Sequence, residues 1–244
     1  MIVVEGVHKS FKGPVLRNVG IRVPEGCIYA LIGPGASGKS VLLKVIAGLI
    51  KPESGQVWIG GTEITALREV RLAEVRKRVG MLFQNYALFD FLTVGENIAF
   101  PLRRLFDLPN EEVQSRVAER LARVALPGFE ERVPGSLSGG QKKRVGVARA
   151  TIARPEVLLY DEPTAGLDPV TSQKIYDLIR DEQKEQRNTA VVISSDVHGV
   201  LTIAERVGMM VQGQLIFDGT VEEACTSQNP AVRQFVHGLT EGPL

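Results

Sequence analysis

Apolar residues fall along the chain in two rhythms. In the first third, apolar runs of strand length at 2–4, 21–23 and 27–32 alternate with turn-forming residues, Pro24-Glu25-Gly26 separating the last two. Runs of this length bounded by Gly and Pro predict strands, and those lacking alternation predict strands buried on both faces. A Gly-rich segment follows at 33–38. Behind it, Val41-Leu42-Leu43 and Val45-Ile46-Ala47 predict a buried helix closed by Gly48 and Pro52. Residues 56–59 with Gly60-Gly61 predict a hairpin element, and 79–83 another buried strand.

From about 85 to 153 the rhythm becomes helical, with Val113, Val117, Leu121 and Val124 on one apolar face. Strand-type runs return at 157–160, 189–194, 207–211 and 214–217, the last two flanking a Gln212-Gly213 turn. Residues 169–185 predict a helix with Ile175, Leu178 and Ile179 on its inner side. Thr220-Val221-Glu222-Glu223 has the spacing of a capping box. The order is strand-rich, then helical, then alternating. It predicts an α/β chain with a mostly parallel core sheet and a helical insertion. The expected organisation is one domain over 1–244: a core from 1–84 and 154–244, with a helical subdomain over 85–153.

Composition narrows the classes. With 44% hydrophobic and 23% charged residues, the chain is neither disordered nor fibrous. Lys and Arg number 29 against 28 Asp and Glu, a net charge of +1 that offers no electrostatic case for a nucleic-acid partner. The apolar stretch at 41–50 is broken by Lys44 and falls short of the ~20 residues of a spanning helix. The N-terminus lacks the pattern of a signal peptide. Cys27 and Cys225 stand far apart, which argues against a disulfide framework or a CxxC zinc site and favours a cytosolic setting.

Three segments carry chemistry. Gly33-Pro34-Gly35-Ala36-Ser37-Gly38-Lys39-Ser40 fits GxxxxGK[ST], between a strand ending at Ile32 and a helix beginning near Lys39. Glycines let successive amides converge on phosphate oxygens without Cβ clashes, and the helix N-terminus adds a favourable dipole. Lys39 can reach the β- and γ-phosphates, and the Ser40 hydroxyl suits Mg²⁺. Val157-Leu158-Leu159-Tyr160-Asp161-Glu162 is an apolar run ending in two acids, at the strand end where α/β sheets bind ligands. There Asp161 suits Mg²⁺, and Glu162 suits the role of general base toward water. Leu137-Ser138-Gly139-Gly140-Gln141 precedes a helix carrying Lys142, Lys143, Arg144 and Arg149; Ser138 suits the N-cap, and the amides behind it can meet an anion.

Together these segments resemble the ABC-type ATPases, whose hallmark is the pentapeptide at 137–141, and the resemblance spans about residues 2–236. It implies a P-loop NTPase fold with an N-terminal antiparallel β subdomain and an inserted helical subdomain. It also implies ATP hydrolysis with Mg²⁺. ATP would meet residues 33–40 with Val41, and Phe11 would stack on adenine where the family usually has Tyr. Ser40, Gln84 and Asp161 would hold Mg²⁺. Gln84 would also contact the attacking water and sense the transporter partner. Asp168, in Ala165-Gly166-Leu167-Asp168, would join the two active sites of a head-to-tail homodimer. In that dimer, residues 137–141 of one copy close over the ATP of the other.

The wording Ala87-Leu88-Phe89 to Phe100-Pro101-Leu102 is similar to the ATPase subunits of Mla, MCE-associated phospholipid transporters. That likeness implies an integral membrane permease and an MCE-type lipid-binding protein as partners, with the ATPase peripheral on the cytoplasmic face of the inner membrane. Leu88, Phe89, Phe91 and Leu92 are then expected to form an exposed partner patch rather than core. A longer C-terminal reach to the partner ATPase is not expected with Leu244 as the last residue. The competing readings are an ABC ATPase of another transporter class, a DNA- or ribosome-associated ABC ATPase, and a slow-hydrolysing nucleotide-dependent regulator.

One position departs from the family. In Ile193-Ser194-Ser195-Asp196, Ser195 stands where the family has a switch histidine. Serine is shorter and uncharged but still donates one hydrogen bond. His198, one helical turn on, starts too far away to substitute. Ser195→Histidine substitution, S195H, is therefore expected to raise the turnover of the assembled complex, read as phosphate release. Unchanged or lower turnover would remove Ser195 from the switch position.

Overall fold

The apolar runs at 27–32, 157–160 and 189–194 become strands without an exposed face. In the computed structural model, which describes residues 1–244, every residue of β3 (Ile28–Ile32), β7 (Val157–Asp161) and β8 (Thr189–Ile193) is buried. The remaining strands are β1 (Ile2–Ser10), β2 (Pro14–Val23), β4 (Ser54–Ile59), β5 (Thr62–Glu63), β6 (Val79–Leu82), β9 (Arg206–Val211) and β10 (Gln214–Thr220). The helices are α1 (Lys39–Ile46), α2 (Glu69–Arg76), α3 (Val94–Leu105), α4 (Asn110–Arg123), α5 (Gly139–Thr151), α6 (Pro169–Gln186), α7 (Val197–Leu201), α8 (Val221–Cys225) and α9 (Pro230–His237). No helix is long and apolar enough to cross a membrane.

A six-stranded sheet runs in the order β10-β9-β3-β8-β7-β6. It is parallel from β9 to β6 and antiparallel only between β9 and β10. That hairpin turns through Gln212 and Gly213, both at positive φ (48° and 80°), as a two-residue turn matched to strand twist requires. A second sheet, β2-β1-β4-β5, is antiparallel throughout. Leu42, Leu43, Val45 and Ile46 of α1 fill the space between the sheets with Ile2, Val4, Leu31 and Ile59. The other face of the large sheet packs against Ile175, Tyr176 and Ile179 of α6. A third core joins α3, α4 and α5, and it includes all four residues of the apolar face at 113–124.

Two elements differ from the periodicity. Helix α2 has no apolar stripe, because Val75 is its one buried residue, so hydrophobic spacing could not signal it. Residues 85–93, at the start of the expected helical stretch, are irregular. Tyr86 and Ala87 adopt left-handed φ values of 61° and 50°. The buried Asn97 holds this segment: its amide donates to the carbonyls of Phe89 (3.0 Å) and Thr93 (2.9 Å) and its oxygen accepts from the Phe89 amide (2.8 Å). Phe91 projects into solvent at 83% exposure, whereas Leu88, Phe89 and Leu92 are half-buried. The expected four-residue patch is thus one exposed aromatic on a packed base.

Arg120 of α4 meets Glu182 of α6 at 2.6 Å, both side chains buried, and Arg123 pairs with Glu185 one turn further. This pair ties the helical insertion to the sheet-flanking helix. Removing one partner strands the other charge in a dry site. R120M is expected to lower the unfolding free energy by about 3–5 kcal/mol in chemical denaturation. The double variant R120M/E182L should recover most of that loss.

Candidate active site

Parallel register brings the strand ends level. Leu31 pairs with Ile193, and Ile193 with Asp161, while Leu82 pairs with Tyr160 one step back. The segments leaving these strands therefore share one edge: 33–38 after β3, Ser194-Ser195 after β8, Asp161-Glu162 at the end of β7, and Phe83-Gln84 after β6. This is the carboxyl edge where α/β sheets bind ligands.

The loop at 33–38 is shaped by two close approaches. Gly33 has φ 137°, and a Cβ there would lie 2.0 Å from the Met210 carbonyl oxygen on β9. Gly38 has φ 98°, and its Cβ would lie 2.8 Å from the Val15 carbonyl oxygen on β2. Side chains at both positions would push the loop off its scaffold. Gly35 is the opposite case: a Cβ would meet nothing within 4 Å, so this side of the loop is open. Ala36 continues the turn at φ 58°, and the half-buried Val41 packs onto the core beneath. Helix α1 starts without a side-chain cap, leaving its first amides for an anion. The Lys39 ammonium closes the loop on itself, donating to the carbonyls of Gly33 (2.7 Å) and Pro34 (2.8 Å) and to Ser37 Oγ (3.2 Å). Burial pulls the Lys39 pKa down, against the opposing field of Glu162 and Asp161.

Across the end of β8, Ser40 Oγ donates to Asp161 Oδ1 at 2.9 Å. Burial raises the Asp161 pKa and the neighbouring Glu162 charge adds to it, while the Ser40 hydrogen bond pulls the other way. No cluster of three His, Cys, Asp or Glu side chains is assembled. A hard divalent cation here would therefore rely on the Ser40 and Asp161 oxygens plus oxygens of its ligand and water. Such a donor set suits Mg²⁺, which keeps few protein ligands.

Glu162 sits at φ 51°, with its amide donating to the Ile193 carbonyl at 3.0 Å. Its Oε2 accepts two hydrogen bonds from Ser195, from the amide and from Oγ, both at 3.0 Å. Ser195 thus contacts the acid itself, whereas His198 lies exposed on α7. Behind them, Tyr176 OH links Thr164 Oγ1 (3.0 Å) to Ser194 Oγ (2.8 Å), a buried network joining the ends of β7 and β8. Apolar periodicity gave no sign of it.

Gln84 is exposed, and its backbone carbonyl accepts from Lys143 Nζ at 2.9 Å. Ser138 caps α5 in a reciprocal box with Gln141, and Leu137 is buried beneath. The nearest neighbours around Gly139 and Gly140 are Tyr86, Leu167 and Thr171, none of them in the loop at 33–40. Asp168 caps α6 through the Thr171 amide (2.9 Å) and hydroxyl (2.6 Å), which hold its carboxyl below the usual range. Phe11 is exposed, with Lys9 Nζ 5.3 Å from its ring centroid. One chain therefore gathers residues 33–40, Asp161, Glu162, Ser195 and Gln84 at one edge, while residues 137–141 face elsewhere.

Residues 16–165 match the family model described as ABC transporter. The methionine import ATP-binding protein MetN of Rhodospirillum rubrum is 39% identical over 250 residues, covering 100% of this chain and 71% of its own length. The intermembrane phospholipid transport system ATP-binding protein MlaF of Escherichia coli is 37% identical over 230 residues, covering 94% of this chain and 86% of its own length. Among solved structures, the dimeric structure of a bacterial ABC transporter cassette superposes with a TM-score of 0.86 at 32% identity, covering 91% of this chain and 99% of that one.

The Asp161 environment predicts a pH signature. Its raised folded-state pKa means the folded chain holds that proton more tightly than the unfolded chain does. Stability is then lost as pH rises from the usual carboxylate range through the folded-state pKa. D161N, which keeps the oxygen facing Ser40, should melt higher than the wild type at neutral pH without nucleotide. The gap should close as pH falls below the carboxylate range, as followed by thermal denaturation.

Proposed function

The chain belongs to the ABC transporter family as an ATP-binding, ATP-hydrolysing subunit, and from that premise we propose that it powers a separate membrane permease for phospholipids, working as a homodimer. The observation that carries the site assignment is the Ser40–Asp161 contact at 2.9 Å with Glu162 beside it on the same strand end. In this reading the amides of residues 33–38 and Lys39 take the ATP phosphates, the ammonium exchanging loop carbonyls for phosphate oxygens. Phe11 meets the adenine. Ser40 and Asp161, with Gln84 as the further ligand that the family resemblance implies, would hold Mg²⁺, which would neutralise charge on the β- and γ-phosphate oxygens. Glu162 accepts the proton of the attacking water, its carboxylate aimed by the two Ser195 hydrogen bonds. Residues 137–141 close over the nucleotide of the second copy, and Asp168 faces the same junction. Residues 85–153 act as the helical signature subdomain.

The permease would dock on the groove lined by Met81, Phe83, Phe89, Phe100, Pro101 and Leu105, beside the exposed ring of Phe91. Two supports favour phospholipid: the wording of residues 87–102 and the similarity to a phospholipid-transport relative across 94% of the chain. The methionine-import relative is similar to the same degree, so another small-solute permease is the competing partner. An MCE-type lipid-binding protein would complete the phospholipid system.

Phosphate release by the wild type should exceed that of E162Q by about 100-fold or more, with ATP binding retained in the variant. Co-purification from membranes should recover a multi-span permease with bound phospholipid. A wild type no faster than E162Q would point to a nucleotide-dependent regulator, consistent with Ser195 in the switch position. A permease devoid of lipid would remove the phospholipid assignment.

A further inference from the structure

Lys143 has no part in the assignments above, yet it is among the most enclosed side chains of the molecule, at 1% exposure. It projects from α5, five residues after the Ser138 cap. An ammonium has three donors. One reaches the Gln84 carbonyl at 2.9 Å and one the Glu162 carbonyl at 2.7 Å, while the Tyr86 ring centroid lies 4.8 Å from Nζ. A buried charge whose direct acceptors are two main-chain carbonyls is a costly way to fill a core, and an apolar side chain of similar length would pack there more cheaply. What the charge adds is a fixed link between two segments on different strands. Both segments have constrained backbone. Glu162 is left-handed, as are Tyr86 and Ala87 just after Gln84. Six residues further along the same helix, Arg149 donates to the carbonyls of Tyr86 (2.6 Å) and Ala87 (2.7 Å). One helix therefore grips residues 84–87 at three carbonyls and residue 162 at one, while its own N-terminus is the signature turn.

We propose that Lys143 is a positioning residue for hydrolysis: it joins the backbone of the Gln84 segment to that of Glu162, so that movement of the groove-side loop or of α5 is transmitted to the carboxylate that activates water. The inference rests on the reading of Glu162 as the base. The Lys143 ammonium is directed at two main-chain carbonyls and the Tyr86 ring. It acts through the position of Glu162, whose main chain it holds and whose carboxylate Ser195 aims.

The test uses the full chain in steady-state phosphate release, alongside equilibrium binding of a non-hydrolysable ATP analogue and thermal melting, for wild type, K143M, K143R and E162Q. Displacing a catalytic group by about 1 Å costs up to about 100-fold in rate. K143M should therefore lower kcat by about 10- to 100-fold, with KM and analogue affinity unchanged and a melting temperature no lower than the wild type's. K143R, which keeps charge and donors, should restore much of the rate. Wild-type kcat in K143M overturns the inference. So does a joint loss of kcat, analogue affinity and melting temperature in both K143M and K143R, which would make Lys143 a packing residue. Wild-type rates in E162Q would instead overturn the reading of Glu162, so the two failures are distinguishable.

Discussion

The parallel pairing of β3, β8 and β7 is the constraint from which the site follows. It sets Leu31, Ile193 and Asp161 in one row, so the segments beyond these strands emerge level with one another. A one-residue slip in either pairing would exchange the side chains a strand packs toward α1 with those it packs toward α6. It would also carry Asp161 away from Ser40. The apolar side chains on both faces of these strands thus fix the register, and the register fixes a polar contact of 2.9 Å between residues 121 positions apart.

Polar groups at that edge are held by main chain more than by one another. Lys39 rests on the carbonyls of Gly33 and Pro34, Lys143 on those of Gln84 and Glu162, and Arg149 on those of Tyr86 and Ala87. Cations on carbonyl oxygens define loop positions without neutralising the neighbouring carboxylates of Asp161 and Glu162. Asp161 and Glu162 stay free of a direct ion pair, their nearest donors being hydroxyl and amide groups. Burying an acid under such conditions destabilises its charged form, which pushes the Asp161 pKa up. A buried acid of this kind costs stability that the rest of the scaffold must compensate.

Apolar packing supplies that compensation in three separate cores. Two lie on opposite faces of the large sheet, and the third belongs to the helices inserted between β6 and β7. Because the helical core is distinct, its links to the sheet are few and identifiable. Arg120 and Glu182 form a buried one, and α5 forms another through Gly146, where a Cβ would lie 2.5 Å from Leu82. A head-to-tail dimer would need the signature turn to face outward from its own phosphate loop, and in this chain its near neighbours are Tyr86, Leu167 and Thr171.

Much of this was legible in the residues alone, wherever the physics is local. The strand ending at Ile32, the glycines of 33–38, the Ser138 cap and the capping box at Thr220 follow from hydrophobic runs and short-range hydrogen bonds. The apolar face at 113–124 follows from helical spacing. What the sequence could not contain are contacts made by long-range register. Ser195 read as a departure, shorter than the family's histidine, and the fold placed its amide and hydroxyl on the Glu162 carboxylate. Lys143 read as one of several basic residues on a helix, and the fold buried it between two carbonyls. Phe91 read as one of four apolar neighbours, and the grip of Asn97 on the chain around it left that ring alone in solvent. Periodicity encodes which face is buried, but only the packed strands decide which distant groups meet there.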